Sequence, residues 1–342
     1  MTDLKSMTTH EIQEFVVKHN FPKYRAEQIF RWINSGVSSF DEMNNIPKEL
    51  RSMLSEYYYI SVVNIEKKQV SSYDNTVKYL FKFGDGECVE SVVMSYHHGY
   101  TICISTQVGC KMGCKFCATG MQGFTRNLTS GEMLCQIETA QKDLGIRISN
   151  IVLMGMGEPL DNYDNVVRFL DLVSSEKGLN IGKRHITLST SGVVPKIYSL
   201  ADLGMQITLS VSLHAPNDEM RSATMPVNDA FSIRSLMEAV RYYIDKTHRR
   251  VSFEYAMIDG VNDSDSCARE LGNLIKGMLV HVNLIPVNSV KGSDYRKSNK
   301  ERLNSFTNIL ASYGISATVR RTLGSDIDAS CGQLKGKYKE GG

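Results

Sequence analysis

The stretch Thr101-Ile-Cys-Ile-Ser-Thr-Gln-Val-Gly-Cys110-Lys-Met-Gly-Cys114-Lys-Phe-Cys117 decides how this chain is read. It opens as a short apolar, β-branched run, the pattern of a buried strand, and closes on three tightly spaced cysteines. Eight cysteines placed at random over 342 residues would give that spacing roughly 0.004 times per chain, so the triplet is not an accident of composition. Two kinds of site compete for the thiols. A structural zinc takes four ligands, usually as two pairs. Neither a second C-x-x-C nor a His-x-x-x-His pair follows, so zinc would need an isolated fourth ligand such as Cys135 or His214. An iron–sulfur cube has four iron corners. Three thiolates would leave one iron open to a ligand that is not protein.

Working outward, the run at 101–106 is the first of a series. Short stretches rich in Ile, Val and Leu recur at 150–154, 185–190, 206–213, 251–258 and 281–287. Helical spacing occupies the intervals, as at 132–143, 166–172, 233–244 and 268–275, and Thr129 with Glu132 makes a capping box at the start of the first. Six strands alternating with helices predict an α/β fold of parallel units, closed or nearly closed as a partial barrel. A seventh strand, 316–321, follows a helix around 303–310 and leads into the tail. Upstream, 8–58 reads as short helices, with Ile12, Phe15 and Val16 and then Ile29, Phe30, Trp32 and Ile33 at helical spacing. Alternating runs at 60–65, 77–83 and 89–94, the last two joined by a turn at 84–86, predict a small β-rich segment. The expected units are a helical domain over 1–58, a β-rich connecting segment over 59–99 and the barrel over 100–342.

Lysine and arginine total 39 against 37 acids, a net charge of +2 that neither requires nor excludes a nucleic acid partner. The first residues lack the apolar core of a signal peptide, and no run of 18 apolar residues occurs. A cytoplasmic protein with no membrane association is expected, in a compartment where cysteines serve metals or catalysis more than disulfides.

Barrels of this kind place their chemistry beyond the carboxyl ends of the strands. The three cysteines follow the first strand and Gly155-Met-Gly157-Glu158-Pro159 the second. Ser189 closes the third, Ser212-Leu213-His214 the fourth and Asn288 the sixth. Gly157 and Glu158 suit a cofactor amino group, since glycine admits close backbone approach and a carboxylate accepts from an ammonium. Ser189, Ser212 and Asn288 suit ribose or carboxylate oxygens. Singly, each is as well explained as a turn or cap, and His214 as a histidine satisfying backbone. Alternation puts Cys103 on the face opposite Ile102 and Ile104, pointing into the barrel; a buried inert thiol is the alternative. Cys331 lies in Asp326-Ile-Asp-Ala-Ser-Cys-Gly-Gln, a loop with little to bury a thiol, which favours a reactive role. Glu90 shares a strand face with Val92 and Met94, either as a solvated edge position or as a base among apolar neighbours. Lys23, Arg25, Arg31, the Lys246 to Arg250 cluster, Arg320 and Arg321 would suit phosphates, although charge runs are usually solvated faces.

The spacing C-x-x-x-C-x-x-C, with Phe116 before the last cysteine, resembles the signature of the radical SAM superfamily. Together with Met154 to Leu160, Ser210 to Pro216, Asn283 to Asn288 and Asp326 to Leu334, it makes nearly the whole chain similar to the bacterial dual-specificity RNA adenine-C2 methyltransferases. The resemblance implies a partial (β/α)6 barrel with an N-terminal RNA-contacting helical domain. It implies a [4Fe-4S] cluster on Cys110, Cys114 and Cys117, and two S-adenosyl-L-methionine molecules per turnover, one donating a methyl to Cys331 and one yielding a 5′-deoxyadenosyl radical. Gly157, Glu158, Ser189, Ser212, Leu213, His214 and Asn288 match cofactor-binding positions. Cys331 matches the methyl carrier, Cys103 the thiol that resolves the RNA adduct as a Cys103–Cys331 disulfide, and Glu90 the proton acceptor. The implied partners are 23S ribosomal RNA, transfer RNA and an external one-electron donor such as flavodoxin or ferredoxin, with the enzyme a monomer. Methylases of the same architecture that modify adenine C8 and confer antibiotic resistance are the alternative within the superfamily; Pro159 makes this chain look more like the C2 enzymes. A non-catalytic RNA-binding protein with structural zinc is the alternative outside it.

Overall fold

A computed structural model describes residues 1–287, 295–321, 323–327 and 334–335. Three helices open the chain: α1 (Thr9–Lys18), α2 (Tyr24–Asn34) and α3 (Lys48–Tyr57). The apolar spacing in the sequence is what they bury, Ile12, Phe15 and Val16 from α1 and Ala26, Ile29, Phe30 and Ile33 from α2. Each such side chain contributes roughly 1.5–3 kcal/mol of burial. Trp32 is only partly buried, and its indole N–H donates to Asn45 Oδ1 at 2.6 Å. Asp3 ties this unit to the sheet and its helices. Its carboxylate accepts from Ser61 N and Oγ and from Thr129 Oγ1, while the buried Lys5 ammonium pairs with Glu138.

The strands, in chain order, are β1 (Asn64–Val70), β2 (Val77–Lys82), β3 (Cys88–Tyr96), β4 (Gly99–Cys103), β5 (Ile148–Leu153), β6 (Ile186–Thr190), β7 (Thr208–Ser212), β8 (Val251–Met257), β9 (Val280–Pro286) and β10 (Ala317–Val319). Among the described residues they form one sheet in sequential order from β10 back to β1. Every pair from β4 to β10 is parallel, and every pair from β1 to β4 is antiparallel. The segment expected as a connector therefore extends the barrel sheet itself. Strands β1 and β10 are its two unpaired edges, so the barrel is partial, as expected.

The helices that cover the parallel half are α4 (Ser130–Leu144), α5 (Tyr163–Val173), α6 (Val194–Asp202), α7 (Asp218–Thr224), α8 (Ile233–Thr247), α9 (Asp265–Ile275) and α10 (Lys300–Ser312). The capping box at Thr129 and Glu132 forms with both of its hydrogen bonds. Pairs α6–α8 and α9–α10 pack together over the strands. None of the helices among the described residues is long and apolar enough to cross a membrane.

Two expectations shift. The strand expected at 60–65 starts at Asn64 instead, because Ser61 is held by Asp3 and accepts from the Cys135 thiol through its carbonyl. The strand then uses the exposed Glu66, Lys67 and Lys68, charges that discourage pairing at a sheet edge. The first barrel strand ends at Cys103 rather than Thr106. Beyond it, Gln107–Gly109 pairs with Phe124–Asn127 as a separate two-stranded ladder.

The tail spans the open side. After β10, the Gly324 N–H donates to Asp74 in the β1–β2 turn at 2.7 Å. The Asp326 carboxylate accepts from Ser71 Oγ, Ser72 N and Ser72 Oγ at 2.6–2.9 Å. Farther on, Leu334 packs against Leu80 and Cys88. One edge of the sheet is thus tethered to the other.

Candidate active site

The cysteine loop is pinned at its base by the 107–109/124–127 ladder, whose last step needs a glycine. Gly109 has φ +81°, and a Cβ there would fall 2.0 Å from the Gly123 carbonyl oxygen that Cys110 N–H uses. Farther along, Lys115 N–H donates to Thr224 O at the end of α7. Cys110, Cys114 and Cys117 all face a cavity of about 300 Å³ at the carboxyl ends of the strands, the end at which such barrels carry function. Burial first, with neighbouring sulfur among the lesser causes, pushes the Cys110 and Cys114 thiols up to about 12. They would be thiolates only with a cationic partner, which is how metal ligation works.

The donor set fits a polynuclear cluster better than zinc. Among the described residues, no three His, Cys, Asp or Glu side chains converge closely enough for one ion. Cys135, one candidate for a fourth zinc ligand, instead donates to Ser61 O and meets Lys5. The other, His214, uses Nδ1 to accept from Ala256 N–H at 2.9 Å.

Opposite the loop, β5 runs into Gly155-Met-Gly-Glu158. Gly157 has φ +106°, and a Cβ would meet Gln107 Cβ at 2.6 Å and its N at 2.8 Å, so only glycine packs against Gln107 here while lining the cavity. Glu158 is buried at the wall. Its carboxylate accepts from Ser191 N at 2.6 Å and Leu160 N at 3.0 Å, yet desolvation holds its pKa above the usual value. Ser189 and Ser212, in the last turns of β6 and β7, also line the cavity, as does His214. His214 adopts φ +58° and sets its ring edge-on to Phe116, centroids 4.8 Å apart. Burial, reinforced by the Arg221 charge, pulls its pKa down to about 3, so the ring is neutral and carries its proton on Nε2.

Two residues that the motifs do not mark complete this end. Glu254 faces the cavity from β8, opposite Ser212 in register, and its Oε1 accepts from Ser210 Oγ and Asn283 Nδ2. Alternation through Ser252, Glu254 and Ala256 is the signal for it. Arg221 on α7 is fully buried and donates to Ser191 O, Ser212 O, Leu213 O and Asn228 Oδ1. It clamps the ends of β6 and β7 together, and no spacing rule points to it.

Leu213 is not brought to the cavity. Its side chain is in the core, its N–H donates to Glu254 O and its carbonyl is taken by Arg221. Asn288 and Cys331 lie outside the described residues. Cys103 sits beside the cavity, its sulfur accepting from Met154 N–H, and desolvation pushes the thiol up to about 11 while Arg320 and Lys78 oppose that rise. Met154 and Arg320 both line the cavity. Glu90 is no solvated edge residue: it is buried on β3 and paired with Lys78 Nζ at 2.8 Å. The Lys246 to Arg250 cluster precedes β8 and so lies at the opposite end of the strands, with Arg249 donating to Thr208 Oγ1.

Comparison with known proteins agrees with this geometry. The radical SAM superfamily pattern matches residues 104–268, and the ribosomal RNA large subunit methyltransferase N-terminal domain matches residues 2–60. A probable dual-specificity RNA methyltransferase RlmN of Alkaliphilus oremlandii is 57% identical over 98% of both chains. One of the same description from Clostridium tetani is 51% identical, covering 99% of this chain and 97% of the relative. The crystal structure of a radical SAM methyltransferase from Sphaerobacter thermophilus superposes with a TM-score of 0.91 at 45% identity, over 97% of this chain and 99% of that one.

Proposed function

This chain belongs to the RlmN family of radical SAM RNA methyltransferases, and on that premise we propose that it methylates C2 of adenosine in two RNAs. These are 23S ribosomal RNA at the peptidyl transferase centre and transfer RNA beside the anticodon. Adenine C2 lies between two ring nitrogens, is electron-poor and does not attack a methylsulfonium as an amine does. The family's [4Fe-4S] cluster and S-adenosyl-L-methionine, when bound, supply the carbon radical that such a position requires.

The residues divide the rest. Cys110, Cys114 and Cys117 would hold three irons. The backbone at Gly157 and the carboxylate of Glu158 would receive the cofactor's amino group; Ser189, Ser212, Asn288 and the neutral Nε2–H of His214 would receive its oxygens. Leu213, with its side chain in the core, would serve by fixing the backbone between Ser212 and His214. Cys331 would carry the methyl group that the cofactor supplies and hold it against C2, to which its carbon would become joined with loss of one proton from C2 and one electron to a one-electron acceptor. Glu90 accepts the C2 proton. Cys103 then attacks the Cys331 sulfur, the sulfur–carbon bond breaks, a disulfide forms and the freed carbon takes up a proton to become the methyl group. An external one-electron donor, flavodoxin or ferredoxin in kind, would sustain the cycle of a monomeric enzyme.

What supports this reading most is the position of Cys103, which touches Met154 at the cavity wall and feels the Lys78–Glu90 pair on its other side. The tail that carries Cys331 is anchored on that same side, through Asp326 before it and Lys335 after it. Mass analysis of ribosomal and transfer RNA nucleosides from cells with and without this protein tests it. 2-Methyladenosine should depend on the protein in both RNAs; 8-methyladenosine would reject the C2 assignment.

A further inference from the structure

The antiparallel flank holds a charge that this chemistry leaves unused. Lys78 on β2 is fully buried, although a lysine side chain almost never is unless it is paired. Its Nζ lies 2.8 Å from Glu90 Oε2. Register sets Lys78 opposite Val92, Leu80 opposite Glu90, and Val92 opposite Cys103. Directly opposed and alternate residues share a face, so Lys78, Glu90 and Cys103 all project from one side of the sheet. The second carboxylate oxygen, Oε1, accepts from the Lys335 backbone N–H at 2.6 Å, while the Lys335 ammonium turns to Glu87 at 3.5 Å. Among the described residues, the charged and titratable groups around this face include Lys78 from β2, Glu87 and Cys88 before Glu90, Cys103 from β4, Lys335 from the tail and Arg320, which acts on Cys103.

Burying an ion pair is an expensive way to fill a core, since apolar residues of the same volume are often as stable or more so. Its location, against the thiol and the tail, calls for a chemical reason. We propose that Lys78 is a positioning residue for the methylation reaction, its ammonium holding the Glu90 carboxyl group at Oε2 and aiming it beside Cys103 to receive the proton from adenine C2. This rests on the reading of Glu90 as the proton acceptor. In the step itself the C2–H bond of the radical adduct breaks: the proton passes to a Glu90 oxygen, the bonding pair stays with the purine ring, and the one surplus electron leaves to a one-electron acceptor, an oxidised iron–sulfur centre by class, so that a closed-shell thioether adduct remains. Oε1, which accepts from the Lys335 N–H, is the oxygen assigned to take it, while the Lys78 ammonium remains on Oε2 as the counter-charge. The same ammonium favours the Cys103 thiolate needed immediately afterwards.

The test is single-turnover methylation of an unmodified transfer RNA transcript by reconstituted Lys78→Met and Lys78→Gln, from about pH 6 to about pH 9.5, with deoxyadenosine release measured alongside. Removing a cation 2.8 Å from a buried carboxyl group disfavours the charged form, so the variants should need more alkaline solution than wild type for the same proton acceptance. Deoxyadenosine release should stay within about twofold of wild type, while methylated product falls at least about tenfold at neutral pH and recovers as pH rises, displacing the acid limb by about one unit or more. Lys78→Gln keeps a donor on Oε2 without the charge and is read in the same way should Lys78→Met fail to fold. A wild-type pH profile in the folded variants, or a methylation loss that higher pH does not repair, overturns the proposal. The underlying reading fails separately: normal methylation by Glu90→Gln would remove the base itself, whatever Lys78 does.

Discussion

The two halves of this sheet are built on different principles. In the parallel half, β4 to β10, backbone geometry sets out the cavity that the side chains line: Gly157 at positive φ, three carbonyls held by the Arg221 guanidinium, and strand ends that stop in register. In the antiparallel flank, β1 to β3, the chemistry rests on side chains that meet across strands, Lys78 with Glu90 and both near Cys103. The first arrangement receives a cofactor; the second handles a proton and a sulfur. Radical generation and adduct resolution are therefore separable in space and should be separable by mutation.

The sharpest break uses one cysteine of the cavity loop and one on β4, the strand that the two halves share. Cys114→Ala removes a cluster ligand and should lower both deoxyadenosine release and methylation by several orders of magnitude, with most of the iron lost. Cys103→Ala should leave deoxyadenosine release intact and trap a covalent protein–RNA adduct, visible as a shifted band on a denaturing gel. Equal loss of both activities in Cys103→Ala would show that the halves do not act separately.

A smaller effect probes the clamp. Arg221→Met leaves buried carbonyls at Ser191, Ser212 and Leu213 without their donor, costing about 2–4 kcal/mol. The melting temperature should fall by several degrees, and cofactor affinity should weaken because the ends of β6 and β7 are no longer held together. The flank should be unaffected, so the thiol reactivity of Cys103 should match wild type.

The mildest test is pH. His214 has its folded-state pKa pulled down from about 6.5 to about 3, so the unfolded chain binds this proton more readily than the folded one. Its contribution to stability is complete above pH about 6.5 and declines as pH falls toward 3. Between about pH 7 and pH 9 its protonation does not change, and cofactor binding measured there should show no step from this residue. Denaturant titrations from pH 7 to pH 4 should lose more stability in the wild type than in His214→Gln.

Legibility follows the same division. The cysteine triplet, the βα rhythm and Gly157–Glu158 are readable because they are local: spacing and period carry them. Glu254 is readable in principle from alternation within β8. Lys78 and Arg221 are not, since each acquires its meaning from partners in other elements, Glu90 across β2–β3 and the carbonyls that end β6 and β7. The shift of the first edge strand from 60 to Asn64 has the same origin, a contact from Asp3 nearly sixty residues away. Leu213 shows the converse, a position that its motif marks while its side chain lies in the core.

The account stands on three cysteine sulfurs presenting a cluster to the cavity, and the most direct measurement is made on oxygen-free, reconstituted protein. About four irons and four sulfides per chain are expected, with a brown chromophore and deoxyadenosine formed from S-adenosyl-L-methionine under a strong reductant. Stoichiometric zinc, a colourless protein and no deoxyadenosine would contradict it.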